Sequence, residues 1–379
     1  MDVTETDAQR EVRERYRKWL DDFLPADYHD RYAHYREDWG LRRAHQREAF
    51  EAGWLMPQWE PELGGQDLGS LETLTIRLEA AEQAAPKLPN IQGPNVVAPG
   101  LRQHGTDAQQ DRYLVPLLRG DEWWALGMSE PDAGSDFGSL RTKAVRRGDV
   151  YVVNGQKIWT TQAHESRFAT LYVRTDPEAP KHRGISCLLA DLDSPGVTAR
   201  PIRMASDGSD VFCEVFFDDV EVPVENLLGA ENDGWGVAMA SLNHERDMIW
   251  VMNWVDVERG LDRAAWAMAS IDGGPGDDLL VDLGRRAADA AAIRLTGYRA
   301  VTNELRGGRS REFLMLKLFG SEALQRTWEF AIEAAGPAAV ADAELLFEDF
   351  EGLGATIYGG TSEVQRNIVG ERALGLPKG

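Results

Sequence analysis

The chain has 379 residues, 43% hydrophobic and 27% charged, an ordinary globular composition long enough for two or three domains sharing a sizeable core. Its 63 acids against 41 bases give a net charge of −22, which argues against nucleic acid or an anionic membrane as a general partner, because both attract basic surfaces. Cys187 and Cys213 make no disulfide framework and fit a reducing, cytoplasmic setting as buried small hydrophobes, no apolar run nears the roughly 20 residues that span a bilayer, and the charged start is not a signal peptide.

The first third predicts helices. "TDAQREVRERYRKWLDDFL" places Val12, Tyr16, Trp19, Leu20 and Phe23 at helical spacing. "LRRAHQREAFEAGW" predicts a second helix stopping near Gly53, and "PQWEPELGGQD" a loop punctuated by proline and glycine. Ser70 is the expected N-cap of a helix over "SLETLTIRLEAAEQAA", without a full capping box. Gly120 is the expected stop of "TDAQQDRYLVPLLRG". From Trp123 to Leu228 the period becomes two. "TKAVRRGDVYVVNGQKIWTT" gives strand-like runs around Gly148-Asp149, with Asn154-Gly155 as a strong hairpin signal. "FATLYVRT", "GISCLLADL", "VTARPIRM" and "DVFCEVFFDDVEVP" continue a mostly antiparallel sheet. Beyond "GAENDGWG" the helical period returns, over about 235–270, 279–306, 311–335 and 360–373, broken by the turn "IDGGPGDD". The expected class is α+β: an N-terminal helical domain over 1–121, a central antiparallel β domain over 122–230 and a C-terminal four-helix bundle over 231–379.

"LGMSEPDAGSD" followed by "NGQKIWTT", then "EVFFDDVEVPVENLLG" and "IYGGTSEVQRNIVGERALGLP", resemble in order and spacing the signature stretches of the acyl-CoA dehydrogenases. The resemblance covers nearly the whole chain. It implies FAD bound between domains and across a subunit interface, no metal, and oxidation of the Cα–Cβ bond of an acyl-CoA thioester to a trans double bond. Such a reaction needs a base at the α-carbon and a donor at the carbonyl oxygen, while the flavin takes the β-hydride. By the resemblance, Leu126, Met128 and Ser129 line the flavin ring, Trp159 and Thr161 flank it, Ser135 lies near CoA or a pyrophosphate, and Thr361 and Glu363 approach FAD. Plainer readings stay open: a core strand Trp with an outward Thr, a turn cap at Ser135, and a helix N-cap at Thr361 with Glu363 in the first turn.

In much of the family the residue after the motif tyrosine is the catalytic glutamate. Here it is Gly359, whose N–H can still donate to the thioester carbonyl. A minority of the family, including isovaleryl-CoA and long-chain types, carries the base on a central helix directly before an arginine; the matching residues here are Glu245 and Arg246 in "LNHERDMIW". Helix geometry places Ala238, Ser241, Met248, Ile249 and Met252 within about 60° of Glu245, the most apolar stripe of its helix, with no opposite charge one turn away. A lone carboxylate there has a raised pKa, which suits a base. A long-range buried ion pair is the alternative. Arg246 is expected to brace the glycine turn, Asp256 is a weaker backup on the same side, and His244 points elsewhere.

Two family features are absent. The stretch that usually holds Arg, two spacers, Phe and Gly, which a neighbouring subunit contributes to FAD, reads "MASIDGGPGDD"; a Gly-Gly-x-Gly stretch near the adenosine reads "AAGPAAV". The expectation is a homo- or hetero-oligomer, the latter an α2β2 assembly with a second acyl-CoA dehydrogenase-like chain. Bacterial sterol side-chain acyl-CoA dehydrogenases divide these parts in that way, and "RLTGYRAVTNELRGG" and "IYGGTSEVQRNIV" resemble them. The further expected partners are the acyl-CoA substrate and an electron-transfer flavoprotein or similar acceptor. The competing functions are a flavin monooxygenase on the same fold, which needs no α-proton base, a non-catalytic partner subunit, and a dehydrogenase of acyl groups on a carrier protein, which a −22 chain would meet poorly. No substrate signature names the acyl chain.

Overall fold

A computed structural model describes residues 4–31, 38–308 and 310–377, the side chains of 242–248 excepted. Helix α1 (Asp7–Phe23) starts at a capping box formed by Thr6 and Gln9 and buries Val12, Tyr16 and Leu20. Helix α2 (Trp39–Glu51) is capped by Asp38, which accepts from the Leu41 amide. Helix α3 (Ser70–Glu82) starts one residue earlier than expected, so Gly69 and not Ser70 is the cap. Glycine is an accepted N-cap, and the Glu72 carboxylate folds back over it. The next helical stretch was not expected: a π-helix at Gly93–Val97 runs straight into α4 (Ala98–His104). Pro94 and Pro99 disguise it in the sequence, yet Val96, Val97, Ala98 and Leu101 are buried along it. Helix α5 (Asp107–Arg119) has a capping box at Thr106 and Gln109 and ends, as expected, at Gly120 with φ +81°.

The strands are β1 (Trp124–Gly127), β2 (Lys143–Arg147), β3 (Val150–Thr161), β4 (Phe168–Arg174), β5 (Ile185–Asp191), β6 (Val197–Ile202), β7 (Phe212–Pro223) and β8 (Leu227–Leu228). They form one sheet in the order β6-β7-β3-β2-β4-β5-β8, with β1 pairing to β4. It is antiparallel except where β4 meets β1 and β2. Gly148 turns between β2 and β3 with φ +63°. Asn154-Gly155, in contrast, is not a hairpin turn: β3 runs through it, with a register shift against β7 between Val153 and Gly155. The Asn154 amide exchanges hydrogen bonds with Asp219 at 2.9 and 3.0 Å. A Cβ on residue 155 would lie 2.6 Å from Thr142 Cα. The pair therefore pins a bulge and permits a close approach.

The C-terminal region holds α6 (Gly234–Ala269), α7 (Asp277–Leu305), α8 (Phe313–Ala335), α9 (Ala343–Ala355) and α10 (Ser362–Ile368), the last continuing into a π-turn at Val369–Ala373. The bundle thus differs from the four expected segments by an additional helix, α9. Gly352 and Gly354 weaken its sequence signal, but Asp342 caps it through the Leu345 amide at 3.0 Å. One apolar core lies between the N-terminal helices, β1, β5 and the start of α6. A second fills the bundle and takes in Leu74 and Leu78 of α3. A third lies within the sheet. Both free cysteines are buried. Among the described residues no helix is long and apolar enough to cross a membrane.

Candidate active site

The two quoted stretches of the β region are locked together by a buried ion pair. Lys157, fully buried on β3, donates to Glu130 Oε1 at 2.9 Å and to the Met128 carbonyl at 3.1 Å. The Glu130 carboxylate also accepts from the amides of Arg141 at 2.6 Å and Thr142 at 2.8 Å. Burial pushes the Lys157 ammonium down to about 8, against the pull of Glu130. Burial would raise Glu130, but the Lys157 charge and these hydrogen bonds hold its carboxyl below the usual range. Next to this clamp the Ile158 amide donates to the Ser129 carbonyl at 3.0 Å. The strand register then shifts between Lys157 and Thr160. Trp159, inside the shift, has φ +59°, a strained value for a side chain of that size. Its ring is 56% exposed and meets Phe212 edge-on. Leu126, Met128, Ser129 and Thr161 are half-buried on the adjoining backbone. A held-out aromatic beside apolar side chains and two hydroxyls suits one face of a flat ring with a polar edge.

All three regions of the fold converge here. The Asn90 side chain exchanges hydrogen bonds with the Trp124 backbone, both at 3.0 Å, and Gln162 donates to the Pro89 carbonyl at 2.8 Å. These bonds deliver the π-helix to the foot of β1 and the end of β3. Helix α4 meets α6 at Gly100, where any Cβ would collide with the Ser241 hydroxyl. Ser241 also hydrogen-bonds the buried Tyr172 of β4, whose phenol burial pushes well above its ordinary value. Helix α6 is therefore fixed from both sides one turn before Glu245. The side chains of Glu245, Arg246 and His244 lie outside the described residues. The expected apolar stripe is buried at Ala238 and Ser241 but emerges by Met252, which is 48% exposed. Asp256 is ion-paired to Arg259 at 3.3 Å, which makes it a poor backup base.

The C-terminal glycines form a turn between α9 and α10, with φ +64° at Gly359 and +99° at Gly360. Lys317 of α8, 2% exposed, donates to the carbonyls of Ala355 at 3.0 Å and Gly360 at 2.7 Å. Gln365 donates to the Gly359 carbonyl at 3.1 Å. The Gly359 amide itself has no acceptor among the described residues. A Cβ at 359 would meet only the Lys317 stem, at 3.7 Å. Gly359→Ala is accordingly expected to cost about 1–2 kcal/mol through backbone strain without a clash, read as a lower thermal midpoint of the apoprotein. Thr361 caps α10 through the Val364 amide at 3.3 Å. Glu363 is exposed in the first turn, its carboxyl held below the usual range by its own backbone amide and by Thr361. The plain capping reading thus describes the local geometry of both. Ser135 is exposed beside Asp136, which pairs with Lys181 at 2.7 Å. Glu351 of α9 hydrogen-bonds Ser206 in the loop leading to Phe212; burial raises its carboxyl, against the Ser206 contact, which lowers it.

Sequence reasoning passed over Lys157, Glu130 and Lys317. The two lysines had a signal: Lys157 falls on the inward phase of an alternating strand, and Lys317 sits in the apolar run "FLMLKLFG". A charge at an otherwise apolar phase implies a buried partner.

Three family models match in succession: the acyl-CoA dehydrogenase N-terminal domain over residues 6–121, the middle domain over 125–220 and the C-terminal domain over 232–374. The chain belongs to the acyl-CoA dehydrogenase family. Acyl-CoA dehydrogenase FadE29 of Mycobacterium tuberculosis is 34% identical over 388 residues, which cover 98% of each chain. A chain of the ChsE4-ChsE5 complex from Mycobacterium tuberculosis superposes with a TM-score of 0.85 at 31% identity over the full length of both. The Tcur3481-Tcur3483 steroid ACAD does so with a TM-score of 0.85 at 30% identity, again over both full lengths. This acyl-CoA dehydrogenase is an enzyme with FAD as its cofactor. Its own donor set fits that group: a projecting Trp159 and the half-buried Leu126 and Met128 offer an apolar face, and Ser129 and Thr161 offer hydroxyls at its border.

Proposed function

We propose that this acyl-CoA dehydrogenase converts an acyl-CoA to the trans-2-enoyl-CoA, with Glu245 removing the α-proton. FAD, when bound, supplies the hydride acceptor. Trp159, Leu126, Met128 and Ser129 hold and orient the ring, with Thr161 on the same strand. Ser135, Thr361 and Glu363 are assigned to the polar remainder of FAD or CoA. The Gly359 N–H donates to the thioester oxygen and stabilises the charge that develops there as the α-proton leaves. The observation that carries this reading is the Gly359 amide, which has no acceptor among the described residues and sits on a turn whose carbonyls at Gly359 and Gly360 are held in place. Arg246, directly after the base, is assigned to brace the glycine turn, whose carbonyls Lys317 and Gln365 also hold.

The open space above Gly359 favours a bulky or branched acyl group. The resemblance to a steroid ACAD points the same way and suggests a sterol-derived side chain as substrate. A panel of acyl-CoA thioesters, from straight-chain to sterol side-chain, tests both points with an artificial electron acceptor. Accumulation of an oxygenated product in place of the enoyl-CoA would replace the dehydrogenase reading with a monooxygenase. Electron transfer to an electron-transfer flavoprotein and a cytoplasmic setting follow from the same reading.

The missing Arg-x-x-Phe-Gly and Gly-Gly-x-Gly stretches favour a heteromer in which a second acyl-CoA dehydrogenase-like chain completes the far half of FAD. The related ChsE4-ChsE5 and Tcur3481-Tcur3483 structures are both of named pairs. Expressed alone, the chain is expected to carry little flavin; expressed with its partner, it is expected to be full. A homodimer with full FAD occupancy sinks the heteromer.

A further inference from the structure

We propose that Lys317 is a positioning residue for carbonyl polarisation, aiming the Gly359 amide from beneath the turn. The proposal rests on the reading that this amide receives the thioester oxygen. Gly359 and Gly360 both adopt left-handed backbone that glycine enters freely, so the peptide planes between them are soft unless something outside the turn fixes them. A peptide unit is planar, so fixing a carbonyl also fixes the N–H of the following residue. Gln365 holds the Gly359 carbonyl, and Lys317 holds the Gly360 carbonyl at 2.7 Å. These two bonds hold the chain after the Tyr358–Gly359 peptide that carries the Gly359 N–H, and the Tyr358 amide, which donates to the Gly354 carbonyl at 3.1 Å, holds it before; that peptide can turn only as far as its anchored neighbours allow.

Lys317 holds the other side of the turn as well. Its second bond, at 3.0 Å, goes to Ala355, the last residue of α9. That carbonyl lies at the helix C-terminus, where a cation is favoured. One ammonium therefore ties the rigid end of α9 to the far side of the glycine pair, and its own stem starts on the buried face of α8 near that helix's N-terminus. Burying an ammonium carries a desolvation penalty that a methionine of similar length would avoid. In return, its bonds are charge-assisted and stronger than those of a neutral donor. A small error in aim at a polarising donor costs rate while leaving ground-state binding nearly intact.

The test uses the flavin-loaded enzyme in the assembly in which it is isolated, and Lys317→Met. Pivaloyl-CoA labelled with carbon-13 at the carbonyl is the probe, because it has no α-hydrogen and cannot be dehydrogenated. Its thioester C=O stretch, measured by infrared difference spectroscopy, is expected to move to lower wavenumber on the wild-type enzyme. In Lys317→Met that shift should shrink by half or more. Turnover of the best substrate in the acyl-CoA panel should fall about 10- to 100-fold with KM within a few-fold. Flavin content should stay at the wild-type level. An unchanged shift and unchanged turnover overturn the proposal. Parallel loss of flavin, thermal midpoint and shift also overturns it, leaving a purely structural lysine. Should Lys317→Met fail to fold, Lys317→Gln retains one neutral donor and must give an intermediate shift. No shift on the wild-type enzyme overturns the role of Gly359 itself, and the proposal with it, whereas a wild-type shift absent only from Gly359→Ala leaves Gly359 in place and Lys317 refuted.

Discussion

Glu245→Gln is expected to lower turnover on the order of 10²- to 10⁴-fold, the usual contribution of a positioned base, while flavin content and acyl-CoA binding stay near wild type. The substitution keeps size and polarity and removes only the proton acceptor. Helix α6 should not move, because its path is fixed one turn earlier, where Ser241 meets Gly100 and Tyr172. Two measurements check it. Anaerobic bleaching of the visible flavin band on adding substrate reports the complete oxidation, and exchange of the substrate α-hydrogen with deuterated solvent reports the proton step alone. Both should be lost together. Asp256→Asn is the control: its carboxylate already answers to Arg259, so turnover should stay within a few-fold of wild type. Wild-type rates in Glu245→Gln would remove the base from α6 and reopen the monooxygenase alternative.

The order of helical, sheet and helical regions was legible because the hydrophobic period switches twice, near Trp123 and past Leu228. What misled was local. Asn154-Gly155 carries the strongest hairpin dipeptide, yet strand β3 continues because Asp219 satisfies the asparagine and Thr142 crowds the glycine; tertiary contacts overrode turn chemistry. The π-helix at Gly93–Val97 was hidden by prolines whose missing amides a short, wide turn tolerates. At the site, the flavin-facing stretches could be read from their composition, but what holds them could not. Trp159 is an ordinary strand residue in the sequence, and only the register shift and its φ of +59° set it apart. The Glu130–Lys157 pair is 27 residues apart and the Lys317–Gly360 bond 43. No periodicity reports contacts at that separation, although an inward-facing lysine signals that one must exist.

Lys157→Met is expected to cost about 3–5 kcal/mol, the penalty for leaving one charge of a buried pair without its partner. The lower half of that range is favoured, since Glu130 keeps the amides of Arg141 and Thr142. The loss should appear twice, as a lower temperature of flavin release and as reduced FAD occupancy after dialysis, because the same ammonium holds the Met128 carbonyl next to Ser129. Glu130→Gln should be damaging for the complementary reason, as it leaves an ammonium buried with a neutral partner. The double variant separates a pair from two independent contacts. If the two side chains act on each other, the double variant loses much less than the two single losses added together, because neither charge is then left alone. Simple additivity would mean that each residue supports the loop separately. The distinction bears on the site directly. A coupled pair fixes β3 and the Met128–Glu130 segment as one body, and the strained Trp159 is then carried by that body and not by its own backbone preference.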